Sequence, residues 1–331
     1  MSETDENPVV SESPHANSKF KQQNLCSCFA YYDPLAAGII LLVMFLVALI
    51  LGIPTLLAAN NIKTYEVRYD DKCPELDTKC TVTLKVDKDM KGPLYIYYKL
   101  TNFYQSNFLF GNSYNWKQLT GEYVNGKDIK LCATRRFSEG DKEKDDHSNI
   151  LVPCGAYPSS VFNDSFTFPS SFPELTRKGI SIKSRAKYFK PANSKYAEQH
   201  AAEWLKSGGY AELFPDAQTD ERFINWMNAS PFKTFWKLWA KTDKNVDVKA
   251  GDYDITIDNN YPVSSFKGKK YIVLSQTSWA GGKSLFLGYY LIALACISLI
   301  LSILFFVFYF LEACPLYKDL KSSVPLHPKH H

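Results

Sequence analysis

LAAGIILLVMFLVALILGIPTLLAA at residues 35–59 and LFLGYYLIALACISLILSILFFVFYFL at residues 285–311 decide how this chain is built. No Asp, Glu, Lys or Arg occurs from Pro34 to Ile62, or from Ser284 to Leu311. About twenty apolar residues cross a hydrocarbon core of roughly 30 Å, so each run is long enough to span a bilayer once. A core helix of a soluble domain rarely runs so far without an ionisable residue. The chain reads as a two-pass membrane protein with a tail at 1–34, spans at 35–59 and 285–311, a loop domain at 60–284 and a second tail at 312–331. The first span lies behind a polar leader and lacks the position and cleavage site of a signal peptide, so it reads as a signal anchor.

Two spans put both termini on one side and the loop domain on the other. Charge does not orient them: Lys19 and Lys21 precede the first run, while Lys63, Arg68 and Lys72 follow it. Lys269, Lys270 and Lys283 precede the second, against Lys318 and Lys321 after it. Long loops translocate largely regardless of such counts. Cysteine placement is more informative. Four of the eight lie in the loop, at Cys73, Cys80, Cys132 and Cys154, while Cys26, Cys28 and Cys314 flank the spans and Cys296 lies within one. An even set in sequence-local pairs fits an oxidising compartment. Four cysteines allow three connectivities, and chain proximity favours Cys73–Cys80 with Cys132–Cys154. The second bridge would close a loop of about twenty residues, worth on the order of 3 kcal/mol in the chain-entropy model. No CxxC spacing supports zinc instead.

Two acceptor sites for N-linked sugar, Asn163-Asp164-Ser165 and Asn228-Ala229-Ser230, agree with a luminal or extracellular loop, although Pro231 disfavours use of the second. Asn163 and Asn228 are the candidate glycosylation residues. Cys26 and Cys28 are candidates for lipidation.

Within the loop, TVTLKV at 81–86 and PLYIYYKL at 93–100 read as strands, as do GDYDITIDNNYPV and GKKYIVLS. Asn125-Gly126 predicts a type I′ hairpin joining GEYV to KDIKLC. SEGDKEKDDHSN at 138–149 reads as a solvated loop. SKYAEQHAAEWLKSGG at 194–209 predicts a helix stopped by its glycines. Phe223, Trp226 and Met227 predict one helical face, and Phe232, Phe235, Trp236 and Trp239 a second, begun at Pro231. Strands, then helices, then closing strands point to a two-pass α-helical membrane protein with a large α+β or mostly β, disulfide-bonded ectodomain rather than a parallel doubly wound sheet.

Signals for catalysis do not appear. There is no HExxH, GxSxG or GxGxxG, and GGKS at 281–284 lacks the earlier glycine of a phosphate loop, with Thr at 277. No catalytic residue, cofactor or metal is therefore expected. The net charge of +4 is too small to argue for nucleic acid. RKGISIKSRAKYFK at 177–190 reads as solvated surface or as a contact with anionic lipid or a partner. Neither span carries the ionisable residues that mark ion paths. Gly38, Gly52, Pro54, Gly288, Ala293, Ala295 and Ser298 are small or kinking residues that allow close helix approach.

FKQQNL at 20–25, Asn60-Asn61, YYKLTNFYQSN at 97–107 and QLTGEYVNGKD at 118–128 occur in that order. PCG at 153–155, FNDSF at 162–166, NNYPVSSFKGKK at 259–270 and WAGGKSLFLG at 279–288 follow. Together they resemble the cell-division-control-protein-50, or ligand-effect-modulator, family of accessory β subunits of type-IV P-type ATPase lipid flippases. The resemblance implies cytosolic tails and a glycosylated α+β ectodomain, mainly antiparallel β, with two disulfides around its sheet. The four loop cysteines match the family's disulfide cysteines, and Asn163 its recurrent glycan position. The implied partner is a type-IV P-type ATPase catalytic subunit, bound as a heterodimer among membrane lipids. The partner hydrolyses ATP and moves lipid, while the accessory subunit supports its folding, export from the endoplasmic reticulum and transport cycle. The membrane is expected to be that of the endoplasmic reticulum, Golgi, endosomes or cell surface. The competing readings are a two-span ion-channel subunit with a cysteine-bearing ectodomain, and an ectoenzyme anchored at both ends.

Overall fold

The computed structural model describes residues 33–138, 149–244 and 246–311. They form two compact units, one holding the helix pair up to Ile53 and from Tyr289 onward, the other Pro54–Gly288.

The apolar runs form helices at Pro34–Asn60 and Phe286–Leu311. At 1.5 Å per residue, the 27 residues of the first reach about 40 Å, enough to cross a bilayer. Their small residues serve mutual packing. Ala48, Ala295, Ser298 and Ser302 are buried, while Ala293 is exposed. A Cβ at Gly38 would lie 3.2 Å from the Phe306 ring, and one at Gly52 would lie 3.1 Å from Leu291. The Ser302 hydroxyl donates to the Gly38 carbonyl at 2.8 Å. Without a hydrophobic driving force between helices in lipid, close backbone approach and such polar contacts hold the pair together.

Between the helices, the described residues form eight strands in two antiparallel sheets: β1 (Thr64–Arg68), β2 (Thr78–Val86), β3 (Leu94–Leu100), β4 (Ser165–Thr167), β5 (Leu175–Thr176), β6 (Phe235–Thr242), β7 (Gly251–Asn259) and β8 (Lys270–Gln276). The five-stranded sheet has the order β1-β8-β3-β6-β5, and the three-stranded sheet the order β2-β7-β4. First and last strands are thus neighbours, with Thr64 opposite Ser275 and Arg68 opposite Tyr271. Period-two alternation works as expected in β3, where Leu94, Ile96, Tyr98 and Leu100 are all buried. They share one core with Val82 and Leu84 of β2 and Ile255 and Ile257 of β7, so both sheets feed the same apolar interior.

Three local expectations are overturned. Asn125-Gly126 makes no hairpin. Asn125 sits at φ −69°, ψ 149°, and its side chain accepts from Lys127 N to cap a 3₁₀ turn at Gly126–Asp128. A type I′ turn needs positive φ at both central residues. Here Val124 and Ile129 are instead drawn into a small core with Cys132, Cys154 and Tyr196, whose hydroxyl accepts from Val124 N at 2.8 Å. The helix expected over 194–209 is broken. It stops at Glu198, His200 turns left-handed at φ 54°, and Ala202 N bonds the Ile150 carbonyl at 2.8 Å. The glycines then begin a new helix, Gly208–Leu213, rather than ending one.

Phe235, Trp236 and Trp239 lie in β6, paired with β3, rather than on a helix, and Phe232 is exposed ahead of it. Apolar spacing at 232, 235, 236 and 239 fits a helix. A lysine at the buried position 237 disguises the strand alternation of Phe235, Lys237 and Trp239. The Glu221–Trp226 helix does form, burying Phe223 and Trp226.

Trp226 is fully buried, its indole N–H donating to the Tyr157 carbonyl at 3.0 Å, with Phe103, Phe235 and Tyr261 around its ring. Trp226→Ala should cost about 3–5 kcal/mol. The expected reading is a large drop in the thermal midpoint of the full-length protein in detergent, with Trp226→Phe losing less. An unchanged midpoint for the alanine variant would contradict this packing.

Candidate functional site

The two cysteine pairs are joined in the structure, with Cα–Cα separations of 5.9 Å for Cys73–Cys80 and 5.6 Å for Cys132–Cys154. The first sits where β2 begins, and Asn259 at the end of β7 donates its amide to the carbonyls of Cys73 and Glu75. The second is fully buried. Gln118 accepts from Cys154 N at 2.8 Å, and the Ser113 hydroxyl donates to the Cys132 carbonyl at 3.3 Å. Gly155 follows at φ +112°, and a Cβ there would fall 2.0 Å from the Ser113 carbonyl oxygen. Only glycine fits the PCG turn.

A buried ionic centre includes Asp164, next to Asn163, and Tyr69, four residues before Cys73. The Lys270 ammonium, at the start of β8, meets Asp164 Oδ2 at 2.8 Å, with side-chain exposures of 2% and 0%. Lys270 also donates to Asn259 Oδ1 and to the Tyr261 carbonyl. Asp164 is saturated in turn. Its Oδ2 accepts from the Tyr69 hydroxyl at 2.6 Å, and its Oδ1 from the backbone N–H groups of Asn260 and Tyr261 at 2.6 Å each. Burial pushes the Tyr69 hydroxyl well up, reinforced by the Asp164 charge. Burial pulls Lys270 down, opposed by Asp164. The backbone of Lys270 donates to Asp70, which pairs with Arg68 at 2.6 Å. The ends of β1 and β7, the start of β8 and the FNDSF segment are tied at one point.

One sequon borders this framework and the other lies apart from it. Asn163 is half-buried, immediately before the ionic centre, and Ser165 donates its hydroxyl to Asp258 at 2.7 Å. Asn228 lies just past the Glu221–Trp226 helix, its carbonyl accepting from Lys237. Lys237 is buried in β6, and burial, with repulsion from Arg185, lowers its ammonium to about 7.

The basic stretch 177–190 is anchored rather than free. Glu221 accepts from the N–H groups of Gly179, Ile180 and Ser181 at 2.6–2.7 Å. Although burial raises its carboxyl, these donors hold it below the usual range. The GGKS segment lies in a turn between β8 and the last helix, with no helix opening on its lysine. Cys26, Cys28, Cys314, FKQQNL and most of SEGDKEKDDHSN lie outside the described residues.

The sequence marks Asp164 as the middle of a sequon and Lys270 as part of the strand text GKKYIVLS, but neither as a buried charge. A lysine opening an otherwise apolar strand, YIVLS, was the signal for a buried cation. A bridged antiparallel ectodomain, keyed by a buried ion pair and carried between two membrane-length helices, defines the class of protein.

The LEM3 (ligand-effect modulator 3) family / CDC50 family model matches residues 22–314. The chain is 32% identical over 316 residues to "Putative ALA-interacting subunit 4" of Arabidopsis thaliana, covering 89% of each. It is 30% identical over 329 residues to "Cell cycle control protein 50A" of Mus musculus, covering 88% of each. It is also 32% identical over 248 residues to "Phospholipid-transporting ATPase accessory subunit CDC50" of Chaetomium thermophilum, covering 70% of this chain and 60% of that one. The chain belongs to the CDC50/LEM3 family.

Two predictions follow from the buried charges. Asp164→Asn preserves the sequon but strands the Lys270 charge, which should cost about 3–5 kcal/mol. Thermal unfolding should show it, and an unshifted midpoint would remove Asp164 from its structural role. Lys237 near 7 in the fold stands against roughly 10.4 in an unfolded chain. Between those values the unfolded chain binds more protons, so stability should rise as pH goes from 7 to 9. Lys237→Met should flatten that rise in unfolding midpoints measured across the interval. An equal rise in the variant would assign it elsewhere.

Proposed function

We propose that this chain is the non-catalytic accessory subunit of a phospholipid-transporting ATPase, paired with a type-IV P-type catalytic subunit and needed for phospholipid translocation. The observation that carries this reading is the family match over 22–314, which takes in both helices and all four bridged cysteines. ATP hydrolysis belongs to the partner. The division of labour suits a helix pair without ionisable residues and an ectodomain whose buried ionic centre is committed to structural contacts.

The finer topology is part of the proposal. Both tails face the cytosol, and the ectodomain faces the lumen or cell exterior, where its two bridges form and Asn163 is glycosylated. The subunit escorts its ATPase out of the endoplasmic reticulum to the Golgi, endosomes or plasma membrane. The bridges and sequons support this orientation, since both chemistries belong to the secretory lumen.

Affinity purification of the tagged full-length chain from its native membranes tests the reading. A stoichiometric multi-span ATPase should co-purify, with lipid-stimulated ATP hydrolysis in the complex. Cys132→Ser combined with Cys154→Ser should retain both chains in the endoplasmic reticulum. Recovery of the wild-type chain alone, or as a homo-oligomer conducting ions, would contradict the proposal.

A further inference from the structure

The loop from β4 to β5 crosses between the two sheets and covers a cavity of about 360 Å³. That is within the usual range for small-ligand sites. Phe166, Phe168, Phe172 and Trp239 form its apolar wall, and Arg177 and Arg222 contribute to its lining. Phe168 and Phe172 lie 4.5 Å apart, and Phe166 meets Trp239 at 5.1 Å, so the wall is built of two aromatic pairs.

Arg222 is 6% exposed. Its guanidinium lies 3.8 Å from the Trp239 ring, and Nε donates to the Trp239 carbonyl at 3.0 Å. Those contacts hold the group in place but use one of its five N–H donors. Nη1 and Nη2 lie buried with no hydrogen-bond partner among the described residues. No carboxylate among the described residues lies within ion-pair distance of either arginine. Asp220 spends Oδ1 on Arg222's own backbone N–H, and burial pushes its carboxyl up. Glu174, the only carboxylate among the lining residues, is exposed.

Arg177 adds charge of the same sign. It is exposed, and its side chain reaches the Glu212 carbonyl at 3.5 Å. Burial, and next the Arg177 charge, lower Arg222 to about 9 against the opposing pull of the Asp220 charge, so Arg222 remains cationic at neutral pH. Asp220 offsets part of this charge from beyond ion-pair distance, and a buried cation without a direct partner is costly. Lys270, by contrast, is paired directly with Asp164. At this cavity two guanidinium groups repel each other beside an aromatic wall.

We propose that this cavity binds a phosphate oxyanion carried on a small organic body, with Arg177 contacting it from the rim and Arg222 supplying the buried counter-charge. Guanidinium groups match phosphate geometry, and the aromatic wall takes the apolar part of the ligand. The volume admits a headgroup-sized body. The shared chemistry is that of a phospholipid headgroup or of a soluble phosphate ester. The inference is independent of which ATPase the chain accompanies.

Isothermal titration calorimetry of the full-length protein with glycerol 3-phosphate tests it, in detergent and in phosphatidylcholine nanodiscs. One saturable site is expected in detergent. Arg177→Gln, at an exposed position, should weaken it about tenfold, the loss of one charge-assisted contact. Arg222→Gln should abolish binding, and Arg222→Lys, which keeps the charge, should retain part of it and guards against a folding artefact. Binding lost in nanodiscs assigns the site to a lipid headgroup, and equal binding in both media assigns it to a soluble ester. No saturable binding in either medium, or binding unaltered by Arg177→Gln and Arg222→Lys alike, overturns the proposal.

Discussion

The ammonium of Lys270 against the carboxylate of Asp164 is the contact on which the ectodomain depends. The two residues are 106 positions apart, and Tyr69, which donates to the same carboxylate, lies 95 positions before Asp164. In a dry interior each charge would be intolerable without the other, and the Asn259, Asn260 and Tyr261 groups complete the remaining valences. A network this saturated fits a single register of the strands that carry it. One slip in β8 would turn Lys270 away from Asp164 and reverse which face of Ile272 and Leu274 is buried.

The strand order makes the constraint useful. Because β1 pairs with β8, the chain leaves the first helix and returns to the last one along adjacent strands. The ionic centre sits at the ends of those strands. One disulfide ties the start of β2 to the segment after β1, and the other closes the small core around Ile129, Ile150 and Tyr196. The bridges fix local segments, while the buried ion pair joins distant ones.

The membrane helices and the strands with clean alternation were legible in the sequence because burial there follows a simple period. β3 shows every second residue buried. The failures share a cause: a tertiary contact outweighed a local preference. Asn125-Gly126 favours a hairpin in isolation, yet Tyr196 and the bridged cysteines pull Val124 and Ile129 inward. The 194–209 segment has helical text, yet Ala202 is drawn into backbone pairing with Ile150. Lys237 hid its strand position, since a buried lysine contradicts the pattern that reveals strands. The Arg222 cavity was equally hidden, because its wall comes from segments more than fifty residues apart. The resemblance of FNDSF and NNYPVSSFKGKK to one family was visible, but not that the two motifs meet at one ion pair.

A double-mutant cycle on Asp164→Asn and Lys270→Met, with stability measured on the full-length protein in detergent, tests this account most directly. If the pair is the keystone, the double variant should be far less destabilised than the sum of the singles, with a coupling energy of about 2–3 kcal/mol. Additive losses would contradict it, and the ectodomain would then be held by its apolar core and disulfides alone.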